Sequence, residues 1–123
     1  MLATDAPLLP GPCERLAQRA TIGVARAGGG TDDASGDLFL CFATGNRGLP
    51  PHGSDDQPIA TAVRTISNPA MSPLLEAAAE ATEEAILNAL LAAETMTGRD
   101  GITAHALDPH TLRQTLDELR TTP

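Results

Sequence analysis

Ser35 and Asp37 are the residues whose types and spacing most readily support chemistry in this chain. They stand at the entry to an uncharged run, Leu38-Phe39-Leu40-Cys41-Phe42-Ala43, which ends at Thr44-Gly45-Asn46. A short apolar run between turn residues fits a strand buried on both faces, although periodicity alone also fits a buried helix segment. Its length, its aromatic residues and the glycine at each end favour the strand. Residues two apart on a strand share a face. A hydroxyl and a carboxylate held rigidly at a sheet edge are then well placed for chemistry. The same Ser35-Gly36-Asp37 also serves as a plain loop-to-strand turn, because these residue types dominate turns for backbone reasons.

The other reactive side chains form no comparable group. His52 falls in a loop, His105 in a short extended piece and His110 at the start of the last helix. None has a partner at metal-ligand spacing, so no metal is expected. Cys13 and Cys41 are too few for a disulfide framework. Cys41 reads as a small buried hydrophobe and Cys13 as a residue near a helix start. Gly28-Gly29-Gly30 follows a helix and precedes a strand, the reverse of a phosphate loop, and reads as a helix stop. Asp32-Asp33 and Asp55-Asp56 read as solubilising loop charges, and Glu94 is a weak candidate near a helix end.

The elements that would position Ser35 and Asp37 can be read in order. Residues 1–4 look like the tail of a strand, and Pro10-Gly11-Pro12 punctuates. Residues 13–27 predict a helix with Leu16, Ala20, Gly23, Val24 and Ala27 on one face. Glu14 in its first turn and Arg26 in its last suit the helix dipole. The stretch 46–58 is rich in Gly, Pro, Asp and His and predicts an exposed, mobile loop, centred on 47–58. Residues 59–66 alternate loosely, as in a strand or an extended crossing. Ser72 as N-cap and Pro73 at the first helical position predict a long helix over 74–96. Its apolar stripe runs through Leu75, Ala78, Thr82, Ala85, Ile86, Ala89, Leu90 and Ala93, with Glu76, Glu80, Glu83 and Glu84 mostly opposite. Gly98 stops it, Arg99-Asp100-Gly101 turns, 102–107 is extended, and Asp108-Pro109 opens a final helix with Leu112, Leu116 and Leu119.

The 123 residues suffice for a single domain with a core. With no Trp, no Tyr and two Phe, that core must come from Leu, Ile, Val and close-packed Ala. So few large side chains suggest that another chain or segment completes it. The net charge is −8 and all eight basic residues are scattered arginines, so nucleic acid is not an expected partner. No apolar run approaches the ~20 residues of a membrane span. No basic-then-apolar segment opens the chain, so a cytoplasmic location is the default expectation.

Four stretches resemble one family in the right order. They are Ala3-Thr4-Asp5-Ala6-Pro7-Leu8-Leu9-Pro10, Ser35-Gly36-Asp37-Leu38-Phe39-Leu40, Glu80-Ala81-Thr82-Glu83-Glu84-Ala85-Ile86-Leu87-Asn88-Ala89-Leu90 and Ala93-Glu94-Thr95-Met96-Thr97-Gly98-Arg99-Asp100-Gly101. Together they look like the carboxy-terminal part of the DmpA-type aminopeptidases, which include the L-aminopeptidase/D-esterases and β-peptidyl aminopeptidases. The similarity runs from Leu2 to about Leu119 and fails over 47–57.

The resemblance implies an α+β fold, one part of an α-β-β-α sandwich of the DmpA and ornithine acetyltransferase type, with strands covered by a long helix pair. Residues 1–123 would then be a single partial domain. It also implies a self-processing hydrolase that cuts before a serine, which becomes nucleophile and new amino terminus together. That serine would fall just upstream of Met1, and the oxyanion donors would also come from the upstream piece. Ser35 would hydrogen-bond the nucleophilic hydroxyl or amine, and Asp37 would stabilise the protonated amine. No cofactor is implied. The implied partners are the amino-terminal (α-chain) part, a peptide, amide or ester substrate, and further copies in a homo-oligomer. Two functions stay open: a subunit or fragment of an aminopeptidase, or a non-catalytic remnant that serves as an assembly or binding partner.

Overall fold

The structure, a computed structural model, describes residues 1–29, 33–34, 36–51 and 58–121. The chain divides into two compact units, residues 1–83 and 84–123.

In the first unit, β1 (Leu2–Thr4) leads to α1 (Pro10–Arg26), then β2 (Cys41–Ala43), then α2 (Asn68–Ala92), which continues past the boundary. Strands β1 and β2 pair in parallel with Leu2 opposite Cys41, Ala3 opposite Phe42 and Thr4 opposite Ala43. Leu2 N–H donates to the Leu40 carbonyl at 2.8 Å and Thr44 N–H to the Thr4 carbonyl at 2.9 Å. Parallel strands need a crossover, and α1 supplies it. The core beneath them is Leu8, Leu16, Met71 and Ala78, with Leu2, Cys41, Ala43 and Leu74 packed against it.

The predicted strand is shorter and more open than its apolar run suggests. Only 41–43 are in β2, and Leu38 is 99% exposed. Leu2 and Thr4, with Cys41 and Ala43, are half-buried, whereas Ala3 and Phe42 are exposed. The sheet is therefore covered on one face among the described residues. A parallel sheet requires cover on both.

Helix α1 begins at Pro10, three residues earlier than expected. Pro tolerates the first helical positions because its missing N–H has no intrahelical partner there. What reads as punctuation is thus the first turn, and Glu14 falls beyond it. The buried face of Leu16, Ala20 and Gly23 follows the expected spacing, with Ala17 added. At the other end Gly28 has φ 85°, and its N–H donates to Ala25 while that of Gly29 donates to Val24. That pair of bonds is a Schellman stop, which glycine forms without strain.

Helix α2 begins at Asn68, so Ser72 is not its cap and Pro73 lies inside it. Asn68-Pro69 carries the same kind of start signal one turn earlier. Buried residues are Met71, Ala78 and Ala79, and the expected stripe fades after Ile86, with Ala89 and Leu90 exposed. Residues 59–66 form no strand. They are tied instead through Asn46, whose amide donates to the Arg64 carbonyl at 3.0 Å and accepts from the Arg64 N–H at 2.8 Å.

In the second unit α2 stops at Ala92, short of the expected 96. Met96 and Thr97 leave the helix because they pair as β3 (Met96–Thr97) with β4 (Thr103–Ala104) in an antiparallel hairpin. The turn Arg99–Gly101 holds Asp100 at φ 62° and Gly101 at φ 73°. Asp and Gly are the types that enter this left-handed region most readily. Helix α3 (Pro109–Thr121) follows, capped by Asp108, which accepts from Thr111 N–H at 3.0 Å and from His110 N–H at 3.2 Å. No helix among the described residues is long and apolar enough to cross a membrane.

Candidate active site

Asp37 lies four residues before β2, in the segment that runs 36–40 into Cys41. It is exposed, and it forms no hydrogen bond or ion pair among the described residues. Because β2 starts at Cys41, Asp37 stands ahead of the strand and not on it. Ser35 lies outside the described residues. The tie between Leu2 and Leu40 holds the end of 36–40 beside the first residues of the chain. The strand pair thereby directs the candidate segment toward the amino-terminal end of β1.

The loops that leave the two strands are clamped at the opposite end. A Cβ built on Gly45 would overlap Pro7, Ala6 and Asp5 backbone atoms at 2.4–2.5 Å, so glycine is required for that contact. Thr4 Oγ1 accepts from the Ala6 N–H at 3.1 Å and shapes the exit of β1. The ends of the strands are thus fixed by backbone contacts, and small residues make them possible.

The histidines are not brought together as a site. His52 lies outside the described residues, and His105 and His110 are exposed in the second unit. No group of three metal-ligating side chains occurs among the described residues. Glu94 is exposed.

One pairing was not legible in the sequence. Cys13 and Cys41, distant along the chain, are brought beside each other by the fold. Burial, then the neighbouring Cys13, push the Cys41 thiol above its ordinary value. Both line a cleft between the start of α1 and residues 39–43, with Leu8, Pro10 and Leu40. No spacing rule links a helix residue to a strand residue across a loop, so only the fold reveals the pair.

This α+β arrangement, a parallel strand pair packed on helices, is shared with solved structures of aminopeptidases, one of them described as a new variant among the Ntn hydrolase fold. The L-aminopeptidase D-Ala-esterase/amidase of Ochrobactrum anthropi, described as a prototype of the serine aminopeptidases, superposes with a TM-score of 0.81 at 31% identity. That match covers 97% of this chain and 33% of the other. A beta-aminopeptidase of Burkholderia sp. superposes with a TM-score of 0.85 at 50% identity, covering 98% of this chain and 35% of that one.

The chain belongs to Peptidase family S58, whose profile matches residues 1–104. This bears out the resemblance read from the four stretches. The beta-peptidyl aminopeptidase BapA of Sphingosinicella microcystinivorans is 41% identical over 120 residues. That alignment takes in 98% of this chain and 29% of the relative, so the chain spans about 29% of that relative's length.

Proposed function

We propose that this chain is the carboxy-terminal (β-chain) part of a self-processing serine aminopeptidase that releases amino-terminal residues from peptides, amides or esters. The carrying observation is the coverage: relatives named as aminopeptidases match 98% of this chain with 29–35% of their own length. The register of the strands supports the same reading. Leu2 stands opposite Cys41. The bond from Leu2 N–H to the Leu40 carbonyl keeps the end of the segment that follows Asp37 beside the first residues of the chain, next to which the resemblance puts the nucleophile.

In this scheme the serine hydroxyl attacks the substrate carbonyl, and its own α-amine, with a reference pKa of ~8, takes the proton. The proton then passes to the departing amine, and water releases the acyl group. Asp37 supplies negative charge to the transient ammonium, and Ser35 a hydrogen bond to the hydroxyl or amine. The scheme uses no cofactor. The remaining part of the enzyme would lay a second layer on the open face at Ala3 and Phe42, completing an α-β-β-α sandwich, and copies of the whole would assemble as a homo-oligomer. The names of two relatives point to substrates with β-amino acids at the amino terminus.

The test is to assay aminoacyl p-nitroanilides with the 123-residue chain alone and with the chain joined to its upstream coding segment. Turnover is expected from the second preparation alone, and Ser35→Ala should lower it by about 10²-fold or more. A stop codon where an upstream Gly-Ser is expected supports the non-catalytic assembly partner. Turnover by the 123-residue chain alone, unchanged by Ser35→Ala, overturns the assignment.

A further inference from the structure

Cys13 and Cys41 take no part in the chemistry above, yet the fold brings them into contact. Cys13 lies early in α1 and Cys41 opens β2. Their side chains are neighbours in one cleft, and both thiols are free and half-buried. Both pack against the core of Leu8, Leu16, Met71 and Ala78, which restricts their motion. Both also line one cleft beside Leu8 and Leu40, so a small solute has a route to the sulfurs. A pair of neighbouring thiols, anchored on two elements and lining one open cleft, has the arrangement that favours a disulfide over independent oxidation.

We propose that Cys13 and Cys41 form a modification site, a dithiol that hydrogen peroxide oxidises reversibly to a disulfide joining α1 to β2. The first attack is assigned to Cys13, because burial pushes the Cys41 thiol up and so disfavours its thiolate, the nucleophilic form. The Cys13 thiolate attacks one peroxide oxygen: an S–O bond forms, the O–O bond breaks, and the departing hydroxide leaves as water with the thiol proton. The Cys41 sulfur then attacks the resulting sulfenic sulfur. The S–S bond forms, the S–O bond breaks, and the second hydroxide leaves as water with the Cys41 proton. Two thiols and one peroxide give one disulfide and two waters, with two electrons passing from sulfur to oxygen. A dithiol reductant reverses the change by exchange. Because Cys41 follows 36–40 directly, the bond anchors the strand into which the candidate segment leads.

The test treats the reduced protein with one equivalent of hydrogen peroxide and follows free thiols, intact mass and tryptic peptides. Both thiols should disappear together, the mass should fall by about 2 Da, and the peptides holding Cys13 and Cys41 should emerge joined. Dithiothreitol should restore both thiols. The native reaction should run at least ~10-fold faster than in guanidinium, where chain closure alone brings the sulfurs together. Cys13→Ser and Cys41→Ser should each leave a single thiol that oxidises onward to sulfinic acid. A mass gain on both sulfurs of the native protein, disulfide-linked dimers, or equal rates in guanidinium would overturn the proposal. The native-against-guanidinium comparison uses the unaltered chain, so it stands even where a serine variant fails to fold.

Discussion

A carboxylate can assist a reaction through its charge without touching the bond that breaks. Asp37 is exposed and without an ion-pair partner among the described residues, so its charge is free to act on an adjacent amine. In the proposed enzyme an opposite charge beside the α-amine raises the amine's pKa, and the amine must be neutral to act as base. Asp37→Asn in the complete enzyme should therefore move the acid limb of the kcat profile to lower pH, by about one unit. It should also lower the plateau by about 10–100-fold, since the ammonium formed during attack loses its counter-charge. A plateau loss with an unmoved limb would argue that Asp37 acts structurally. Asp108 shows the same kind of group in a different role. Bonds from Thr111 and then His110 hold its carboxyl below the ordinary range. A carboxyl lowered in the folded state stabilises α3 above the unfolded value of about 3.9, and the effect fades as pH falls through the lower folded value. Circular dichroism should show helix loss in Asp108→Ala at neutral pH, and less loss in Asp108→Asn, whose amide oxygen still caps but does not titrate.

Helices α1 and α2 approach each other closely at Gly23. Gly23 is buried, and a Cβ there would lie 2.5 Å from the Ala79 carbonyl oxygen and 2.9 Å from the Glu83 nitrogen. Both are backbone atoms that no rotamer change can move. Ala gains about 1 kcal/mol over Gly in helix propensity, while overpacking costs typically 1–3 kcal/mol. With backbone on the receiving side the cost wins, so Gly23→Ala should lower the thermal midpoint by several degrees. A raised midpoint would mean that the helices part freely. The Arg26–Glu83 pair at 3.7 Å spans the same contact but is partly exposed, and is worth under about 1 kcal/mol. The sequence already carries this crossing in the spacing of Leu16, Ala20 and Gly23, because a helix face is a local property. It carries the stop at Gly28 for the same reason. It misleads at Ser72-Pro73, since Asn68-Pro69 offers an equal start and local signals do not rank the two. It also misleads at Leu38-Phe39-Leu40, where an apolar run signals burial without saying what covers it. The Cys13–Cys41 contact and the hairpin at Met96–Thr97 depend on pairing between separated residues, which local patterns do not encode.

Among the described residues, the parallel strand pair of the first unit is covered on one face. The helices cover Leu2, Cys41 and Ala43, while Leu40 and Phe42 are exposed, Phe42 by 44%. The relatives exceed this chain by roughly two thirds of their length, which supplies ample material for a second layer. Parallel strands uncovered on one side are rare because their apolar side chains would face water. If that layer comes from the upstream part of the same enzyme, Phe42 is its most informative anchor. Phe42→Asp should change the stability of the chain alone by less than about 1 kcal/mol, as for other exposed positions. It should weaken association with a separately produced upstream part far more. Losing a buried aromatic contact costs roughly 1.5–3 kcal/mol, and an unpaired carboxylate in its place adds to that. A Kd at least about 100-fold weaker follows. Titration calorimetry of the two parts, with Ala3→Ser as a mild control on the same face, measures the difference. Association of equal strength for Phe42→Asp and the unaltered chain would show that the second layer does not rest on this face, and the sandwich would have to close elsewhere.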